Sequence, residues 1–322
     1  MRRWAGLVLR LGLAAVCLVY AFWGVKLDGL LEAAGRFSLP ALAAMIAVVW
    51  LDFLVMGFRM RYATGSRIGL LTGFNAGILG IGANNILPAK AGEAVKVLYL
   101  SRNGGMTMGE TLGMVFWERF SDLHMLLVVG AAAAVFQNRL SVVLPLAAVI
   151  AAMWAVVLAI RVRPSLGHVL VRLVYFQSLR RLAADMVDQL SRPRAGIFFI
   201  VLMAFGLGTW ALYALQFFCL LPWGAGLDLS PAQTLAVFAM GAAGLAAPSS
   251  PGGVGVFEAV MVAALAMYGV GREQALAAGL VFHMTLYLQT TIYALFVLAF
   301  SGLRMRALRR AWDGEQPPEA SK

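Results

Sequence analysis

The sequence predicts an all-α protein that crosses a membrane several times. Hydrophobic residues make up 61% of its 322 residues and charged residues only 13%, which is about half the charged fraction of a soluble domain. Several apolar runs reach the roughly 20 residues that a membrane helix needs. This composition excludes a soluble enzyme, a nucleic-acid-binding protein and a disordered chain, although the formal net charge is +11.

Six apolar segments are predicted to span the membrane, and two further segments are predicted to be re-entrant hairpins. The spans lie near residues 5–25, 40–58, 108–137, 141–160, 196–220 and 274–300. The hairpins cover 68–100 and 228–268, and each ends in a short helix of about 11–13 residues, which is too short to cross a core of about 30 Å. A count of eight full spans stays open as an alternative.

Each hairpin contains a break that is rich in proline and glycine. Irregular backbone is tolerated at membrane depth only where protein or water surrounds it, so the breaks are expected to line a cavity. The break residues are Pro88 and Gly92 in the first hairpin, and Pro248, Pro251, Gly252, Gly253 and Gly255 in the second.

The distribution of basic residues favours the hairpins over eight full spans. With hairpins, both termini and most of the 26 Lys and Arg residues, including Arg59, lie on the cytoplasmic side. An eight-span topology would instead export the seven arginines between residues 161 and 194, against the positive-inside rule.

The two halves of the chain are predicted to be inverted repeats, at about 40–160 and 195–300. The hairpins enter from opposite faces, and Gly105–Trp117 aligns with Gly271–His283 so that Gly113 meets Gly279. Secondary transporters use such repeats, with broken helices that meet near the midplane.

One domain is expected to span residues 1–310. Between the repeats, apolar residues recur at helical spacing over 165–190, which indicates an amphipathic helix on the cytoplasmic membrane surface. A solvated connector is the other interpretation of this segment. Residues 311–322 are too short and polar to fold and are expected to form a disordered tail.

Charged residues at membrane depth are the candidate functional residues, because each costs about 2.5–3.5 kcal/mol to insert. Arg119, Lys90 and Lys96 are expected to contact a phosphate-type headgroup. Glu93, Glu258 and His283 are expected to move protons or to orient the cations. The candidate cavity residues are Asn85, Lys90, Glu93, Lys96, Glu118, Arg119, Asp122, Glu258 and His283.

Structural roles stay open for several of these residues. Arg119 and Asp122 have the i, i+3 spacing of a helix-stabilising pair, and carboxylates near helix starts are favoured by the helix dipole. His283 has the alternative of a packing role, and Asp52, in the centre of a span, is expected to hydrogen-bond a neighbouring helix. Thr107 begins a T-x-x-E capping box.

The sequence lacks the common signatures of enzymes and metal sites. It has no zinc-protease, nucleophile-elbow or P-loop motif, and no intramembrane aspartate cluster to hold Mg²⁺ on a diphosphate. Its two cysteines, Cys17 and Cys219, provide neither a disulfide framework nor a metal site. We therefore expect no cofactor, no metal and no catalytic residues.

Three motifs together resemble a known family. N-x-x-P-x-x-x-G-E covers Asn85 to Glu93, E-R-x-x-D covers Glu118 to Asp122, and P-S-S-P-G-G-x-G-x-x-E covers Pro248 to Glu258. These motifs resemble the lysylphosphatidylglycerol synthase transmembrane, or flippase-like, family. The resemblance implies a multi-pass protein of the bacterial inner membrane that moves or holds lipids with charged or glycosylated headgroups.

The resemblance also implies partners among lipid-biosynthesis enzymes or glycosyltransferases. The 322 residues contain no aminoacyl-transfer domain, so synthase activity is not expected. The leading hypothesis is a flippase that moves a phospholipid, glycolipid or terpenoid lipid, such as a hopanoid precursor, between leaflets. A membrane-embedded lipid-modifying enzyme and a non-catalytic scaffold of a lipid-synthesis complex are the alternatives.

Overall fold

The computed structural model describes most of the chain. The described residues are 2–87, 91–172, 180, 183–184, 187–188, 190–191, 196–246 and 250–301. Three predicted site residues, Pro88, Lys90 and Pro248, lie outside these ranges, and so does the tail over 311–322.

Regular structure in the described residues is helical throughout. The α-helices are α1 (Arg2–Phe22), α2 (Leu27–Gly35), α3 (Leu39–Ala63), α4 (Leu70–Ile86), α5 (Gly92–Gly104), α6 (Met108–Phe136), α7 (Leu140–Val162), α8 (Pro164–Arg172), α9 (Gly196–Phe218), α10 (Pro231–Ala246), α11 (Val256–Ala266) and α12 (Arg272–Phe300). A π-helical turn, Cys219–Gly224, continues α9, and a 3₁₀ turn, Pro251–Gly253, precedes α11.

Five of these helices are long and apolar enough to cross a membrane. They are α3, α6, α7, α9 with its π-helical continuation, and α12. Near the N-terminus, Gly12–Phe22 and Leu27–Gly35 meet at a bend of 84° and make a sixth candidate if the pair is one span. The fold is thus an all-helical, multi-pass membrane architecture, and the count of six spans and the inverted repeat stay predictions.

Each break lies between two shorter helices. Helix α4 is followed by the 13-residue α5, and α10 is followed by the 11-residue α11. An acidic residue stands in the first turn of each short helix, Glu93 in α5 and Glu258 in α11. Carboxylates are stabilised there by the unpaired N–H groups and the helix dipole.

Glycine lets the backbone turn and pack closely at both breaks. Gly252 and Gly255 have φ of 66° and 85°, in the left-handed region where a side chain is strained. At the first break, a Cβ on Gly92 would stand 2.0 Å from the Gly80 carbonyl oxygen. The N–H of Gly92 donates to Oδ1 of Asn84 at 2.7 Å, which caps the start of α5.

The breaks lie against the last span. Helix α12 packs along α4 and also along α11, and the 3₁₀ turn before α11 contacts α4. Helices α3 and α4 approach each other so closely that a Cβ on Gly73 would stand 2.7 Å from the carbonyl oxygen of Gly57. The two breaks are therefore near neighbours beside α12.

The segment between the two predicted repeats is not one straight helix. His168 on α8 lies with its Nε2 3.1 Å from Oδ1 of Asp188. In a continuous helix over 165–190 these residues would be about 30 Å apart, at 1.5 Å per residue. This contact is not compatible with one straight helix from His168 to Asp188. The amphipathic character and the membrane-surface position of 165–190 stay predictions, and most of residues 173–195 lie outside the described part of the chain.

Candidate functional site: a polar cavity between two broken helices

A buried lysine lies at the centre of the charge network beside the first break. The Lys96 side chain, on α5, is 1% exposed, and its Nζ lies 2.8 and 2.9 Å from the two carboxylate oxygens of Glu118 on α6. Nζ is also 3.2 Å from Oε2 of Glu93. The lysine stem packs against Gly80, where its Cε would lie at an ordinary contact distance of 3.4 Å from an added Cβ.

A second buried cation enters the network from α3. Nη1 of Arg59 binds Oδ1 of Asp122 at 2.8 Å, and Nη2 lies 3.3 Å from Oε1 of Glu118. The predicted position of Arg59 on the cytoplasmic side stays a prediction, and its side chain is fully buried in the protein. Helix α3 continues to Ala63, so Arg59 lies within the helix rather than beyond its end.

The third cation faces the cavity. Arg119 is half exposed at 49%, and its Nη2 lies 2.9 Å from Oε1 of Glu93 and 3.3 Å from Oε1 of Glu118. Its Nη1 lies 3.3 Å from Oδ2 of Asp122, so the proposed i, i+3 pair is present. Glu93 is 28% exposed, so Glu93 and Arg119 are the two most exposed side chains of the network.

These six side chains form a connected and balanced set. Every carboxylate contacts at least two of the cations, and the shared contacts link α3, α5 and α6. Mutual pairing is what allows charges to remain buried in a low-dielectric interior. The cations are Arg59, Lys96 and Arg119, and the carboxylates are Glu93, Glu118 and Asp122.

At the second break, a histidine and a glutamate hold the backbone turn. His283 Nδ1 lies 2.5 Å from Oε1 of Glu258, and its Nε2 lies 2.9 Å from the Gly252 carbonyl oxygen. Because a carbonyl oxygen only accepts, Nε2 must carry a hydrogen, and the Nδ1–Oε1 contact shares one further proton. Oε2 of Glu258 accepts the N–H of Gly255 at 2.7 Å. His283 therefore fixes the shape of the turn.

Helix α12 binds the first break as well. Nδ2 of Asn85 donates to the hydroxyls of Thr290 at 3.1 Å and Thr291 at 2.9 Å. The Tyr287 hydroxyl donates to the Asn85 carbonyl oxygen at 2.8 Å. Tyr287 and His283 are one helical turn apart, so neighbouring turns of α12 hold the two breaks.

Two cavities meet at this site. A cavity of about 340 Å³ lies between the breaks, and we call it the polar cavity because the charged side chains of Glu93, Arg119 and Asp122 line it. Its polar lining includes Asn84, Asn85, Glu93, Arg119, Asp122, Ser250, His283 and Tyr287.

The second cavity, of about 520 Å³, is mainly apolar. The two cavities share seven lining residues. Three of them are polar, namely Arg119, Asp122 and Tyr213, and four are apolar, namely Ile81, Leu245, Phe282 and Leu286. The apolar walls include Val49, Phe53, Leu123, Leu126, Trp210, Phe217, Phe238, Ala242, Phe282 and Leu286.

The predicted site residues fall into two groups by position. Those that line the polar cavity are Asn85, Glu93, Arg119, Asp122, Pro251, Gly252, Gly253 and His283. The residues that are buried and do not line that cavity are Gly92, Lys96, Glu118, Gly255 and Glu258. Lys96 lines neither of these cavities, so its buried pairing with Glu118 gives no support to direct phosphate contact.

The site also contains residues that the sequence did not indicate. Tyr213 lines both cavities, and Gln216 lines the apolar one although it is polar and buried. Arg59 stands seven residues after Asp52 and therefore lies on the same face of one apolar span. This spacing of two charged residues is the pattern from which both could have been predicted to face the site. Within the described ranges, no group of three or more His, Cys, Asp or Glu side chains is arranged to hold a metal ion.

Fold and site together define a multi-pass helical membrane protein with a charged cavity between two broken helices. Residues 7–294 match the family described as the lysylphosphatidylglycerol synthase TM region. The chain therefore belongs to this family, as its motifs indicate. No curated protein matches the chain.

Proposed function

We propose that this protein moves lipids with a polar or charged headgroup between the two leaflets of a membrane. The observation that carries the proposal is the meeting of a polar and an apolar cavity at Arg119, Asp122 and Tyr213. A lipid has the same two-part chemistry, so its headgroup fits the polar space and its chain fits the apolar one.

Arg119 is the proposed contact for a phosphate-type headgroup. Its guanidinium is half exposed and lies where the two cavities join, and a guanidinium binds phosphate through two parallel N–H donors. Glu93 and Asp122 hold its two terminal nitrogens before a lipid arrives. Lys90 stays a proposed additional contact from the sequence.

Alternating exposure of the two breaks would carry the headgroup across while the chain stays in an apolar environment. The sequence contains no ATP-binding motif, so the movement would be downhill or ion-coupled. We place the protein in the bacterial inner membrane with both termini in the cytoplasm. Proposed partners are membrane lipids and a lipid-biosynthesis enzyme or glycosyltransferase, and no nucleic acid.

The test is leaflet exchange of fluorescent lipids in proteoliposomes, read by dithionite quenching from outside. The panel would include anionic, aminoacylated and isoprenoid lipids. The key variant is Arg119→Ala, because each carboxylate that Arg119 contacts retains a second cation, Lys96 or Arg59. The matched control is Arg67→Ala, which removes an equally exposed arginine paired with Glu110.

We expect exchange by wild type and by Arg67→Ala, and strongly reduced exchange by Arg119→Ala. Equal exchange by all three proteins would contradict the proposed site and retain the proposed transport. If wild type moves no lipid of the panel, transport is wrong. Mass analysis of the recovered lipids then tests the enzyme alternative, because an enzyme changes a lipid's mass and a flippase does not.

A further inference from the structure

One carboxylate stands outside the balanced network. Asp52 lies in the middle of α3 and is 2% exposed. Its Oδ1 has no hydrogen-bond partner, although it is buried and Asp52 lines the apolar cavity. Among the described residues no ion pair to Asp52 is found, whereas each of the other three carboxylates contacts two or more cations.

The described groups around Asp52 form no ion pair with it. The nearest cation along α3, Arg59, attracts the Asp52 charge from a distance but directs its terminal nitrogens to Asp122 and Glu118. From α6, the Asp122 carboxylate adds a like charge, and Arg119 points to Glu93, Glu118 and Asp122. Helix α4, packed against α3, has no charged residue. Helix α9 contributes only the neutral hydroxyls of Thr209 and Tyr213 beside Asp52.

An unpaired carboxylate in an apolar membrane interior takes up a cation or a proton, because the isolated charge is too costly to bury. We propose that Asp52 is a proton-binding site of this protein and that its proton is the coupling ion of transport. The coupling half of this inference rests on the proposed function, whereas the proton-binding half does not.

Two points favour a proton over a metal cation. The described oxygen donors beside Asp52 are few, namely the hydroxyls of Thr209 and Tyr213, whereas hard cations take six or more oxygens. A proton converts the carboxylate to a neutral acid whose O–H donates to a neighbouring oxygen, and release returns the proton to water through the cavity that Asp52 lines.

The proton site is tested directly by infrared spectroscopy of the purified full-length protein near neutral pH. We expect a carbonyl stretching band of a protonated carboxylic acid that disappears in Asp52→Asn and persists in Asp28→Asn, a control at an exposed acidic residue of α2. Absence of the band in wild type, or its persistence in Asp52→Asn, would overturn the assignment.

A second variant keeps the test independent of the folding of Asp52→Asn. Thr209→Val removes a hydroxyl beside the acid while leaving the acid in place. We expect the carbonyl band to persist and to change in frequency, because a hydroxyl beside the acid is replaced by a methyl group. An unchanged frequency would show that the acid does not lie beside Thr209 and would contradict the assignment to Asp52.

Coupling is tested by imposing a gradient of about one pH unit on proteoliposomes and measuring the final leaflet ratio of the transported lipid. One pH unit corresponds to a factor of about 10 for each coupled proton, so wild type is expected to accumulate lipid in one leaflet by up to about tenfold. Asp52→Asn is expected to give an even distribution. Accumulation by Asp52→Asn, or none by wild type that does exchange lipid, would overturn coupling.

The two tests separate the proposals. A protein that shows the infrared band but moves no lipid has the proton site without the proposed function. A protein that exchanges lipid but shows no band has the function without this site.

Discussion

At the first break, three cations and three carboxylates from α3, α5 and α6 form one connected network, whereas at the second break a single glutamate–histidine pair holds a backbone turn. The first network reaches the cavity through Glu93 and Arg119. At the second, the Glu258–His283 pair is buried and the turn itself carries three glycines with positive φ. The first break has exposed charge available for a ligand, and the second is held mainly by its own turn.

The largest effect is expected from removing Glu118, the carboxylate that contacts all three cations of the network at the first break. Glu118→Ala leaves Lys96 without its closest partner and takes one of two partners from Arg59. A buried charge that loses its partner is expected to lower the free energy of unfolding by about 3–5 kcal/mol. The measurement is the midpoint of thermal unfolding in detergent.

The matched control removes both charges of the pair. In Glu118→Leu combined with Lys96→Met, the remaining network keeps two arginines and two carboxylates, so its charge stays balanced. The double variant should unfold at a higher temperature than either single variant. A single variant as stable as wild type would show that the network does not support the fold.

The second prediction compares the two breaks through their glycines. Gly92→Ala places a Cβ 2.0 Å from a backbone oxygen and is expected to lower stability by about 1–3 kcal/mol or more. Gly252→Ala meets the Tyr287 ring at 2.7 Å and is also strained by its φ of 66°.

Thermal unfolding again gives the measurement, with Gly35→Ala as control, because a Cβ there meets no atom within 4 Å. We expect the two break variants to unfold earlier than wild type and the control to match it. If both break variants unfold at the wild-type midpoint, the backbone of the turns must shift to accept the added methyl group without loss of stability.

The third prediction tests whether charge matters at the second break. Glu258→Gln retains an oxygen for the Gly255 N–H and gains an amide donor for His283, so its stability should stay near that of wild type. Glu258→Leu removes both contacts and is expected to lower stability by about 1–3 kcal/mol. The measurement is the midpoint of thermal unfolding of the two variants and of wild type. Equal losses in both variants would make the negative charge itself the necessary feature.

The smallest expected effect concerns the contact between α12 and the first break. Tyr287→Phe removes one hydrogen bond to the Asn85 carbonyl oxygen and should lower stability by about 1 kcal/mol. Tyr293→Phe removes a comparable bond to Asn75 on α4, away from the break. The two variants are expected to have similar unfolding midpoints. Only Tyr287→Phe is expected to have an altered rate of leaflet exchange. Unchanged exchange in that variant would show that the contact has no part in transport.

Local features of the site were predictable from the sequence. Proline and glycine marked both breaks, and the spacing of Thr107 and Glu110 predicted a capping box that is present, with the Glu110 N–H 3.2 Å from the threonine hydroxyl. Helical periodicity also placed Arg119 and Asp122 side by side. Each of these features depends on residues that are close along the chain.

Long-range pairings were not predictable in the same way. Glu258 and His283 are 25 residues apart, and Arg59 and Asp122 are 63 apart, so only the packing of the helices brings them together. The sequence indicated that Lys96 is at membrane depth but not which way its long stem points. The carboxylate of Glu118, which comes from another helix, decides that direction.

The position of His283 and Tyr287 on neighbouring turns of α12 has a mechanical consequence. Because a helix is stiff over one turn, a rotation or slide of α12 changes its contact with the Gly252 turn and with Asn85 in the same step. Under the proposed transport, the gates on the two sides would then share one moving part. A movement that changes the contact at one break would therefore change the contact at the other at the same time.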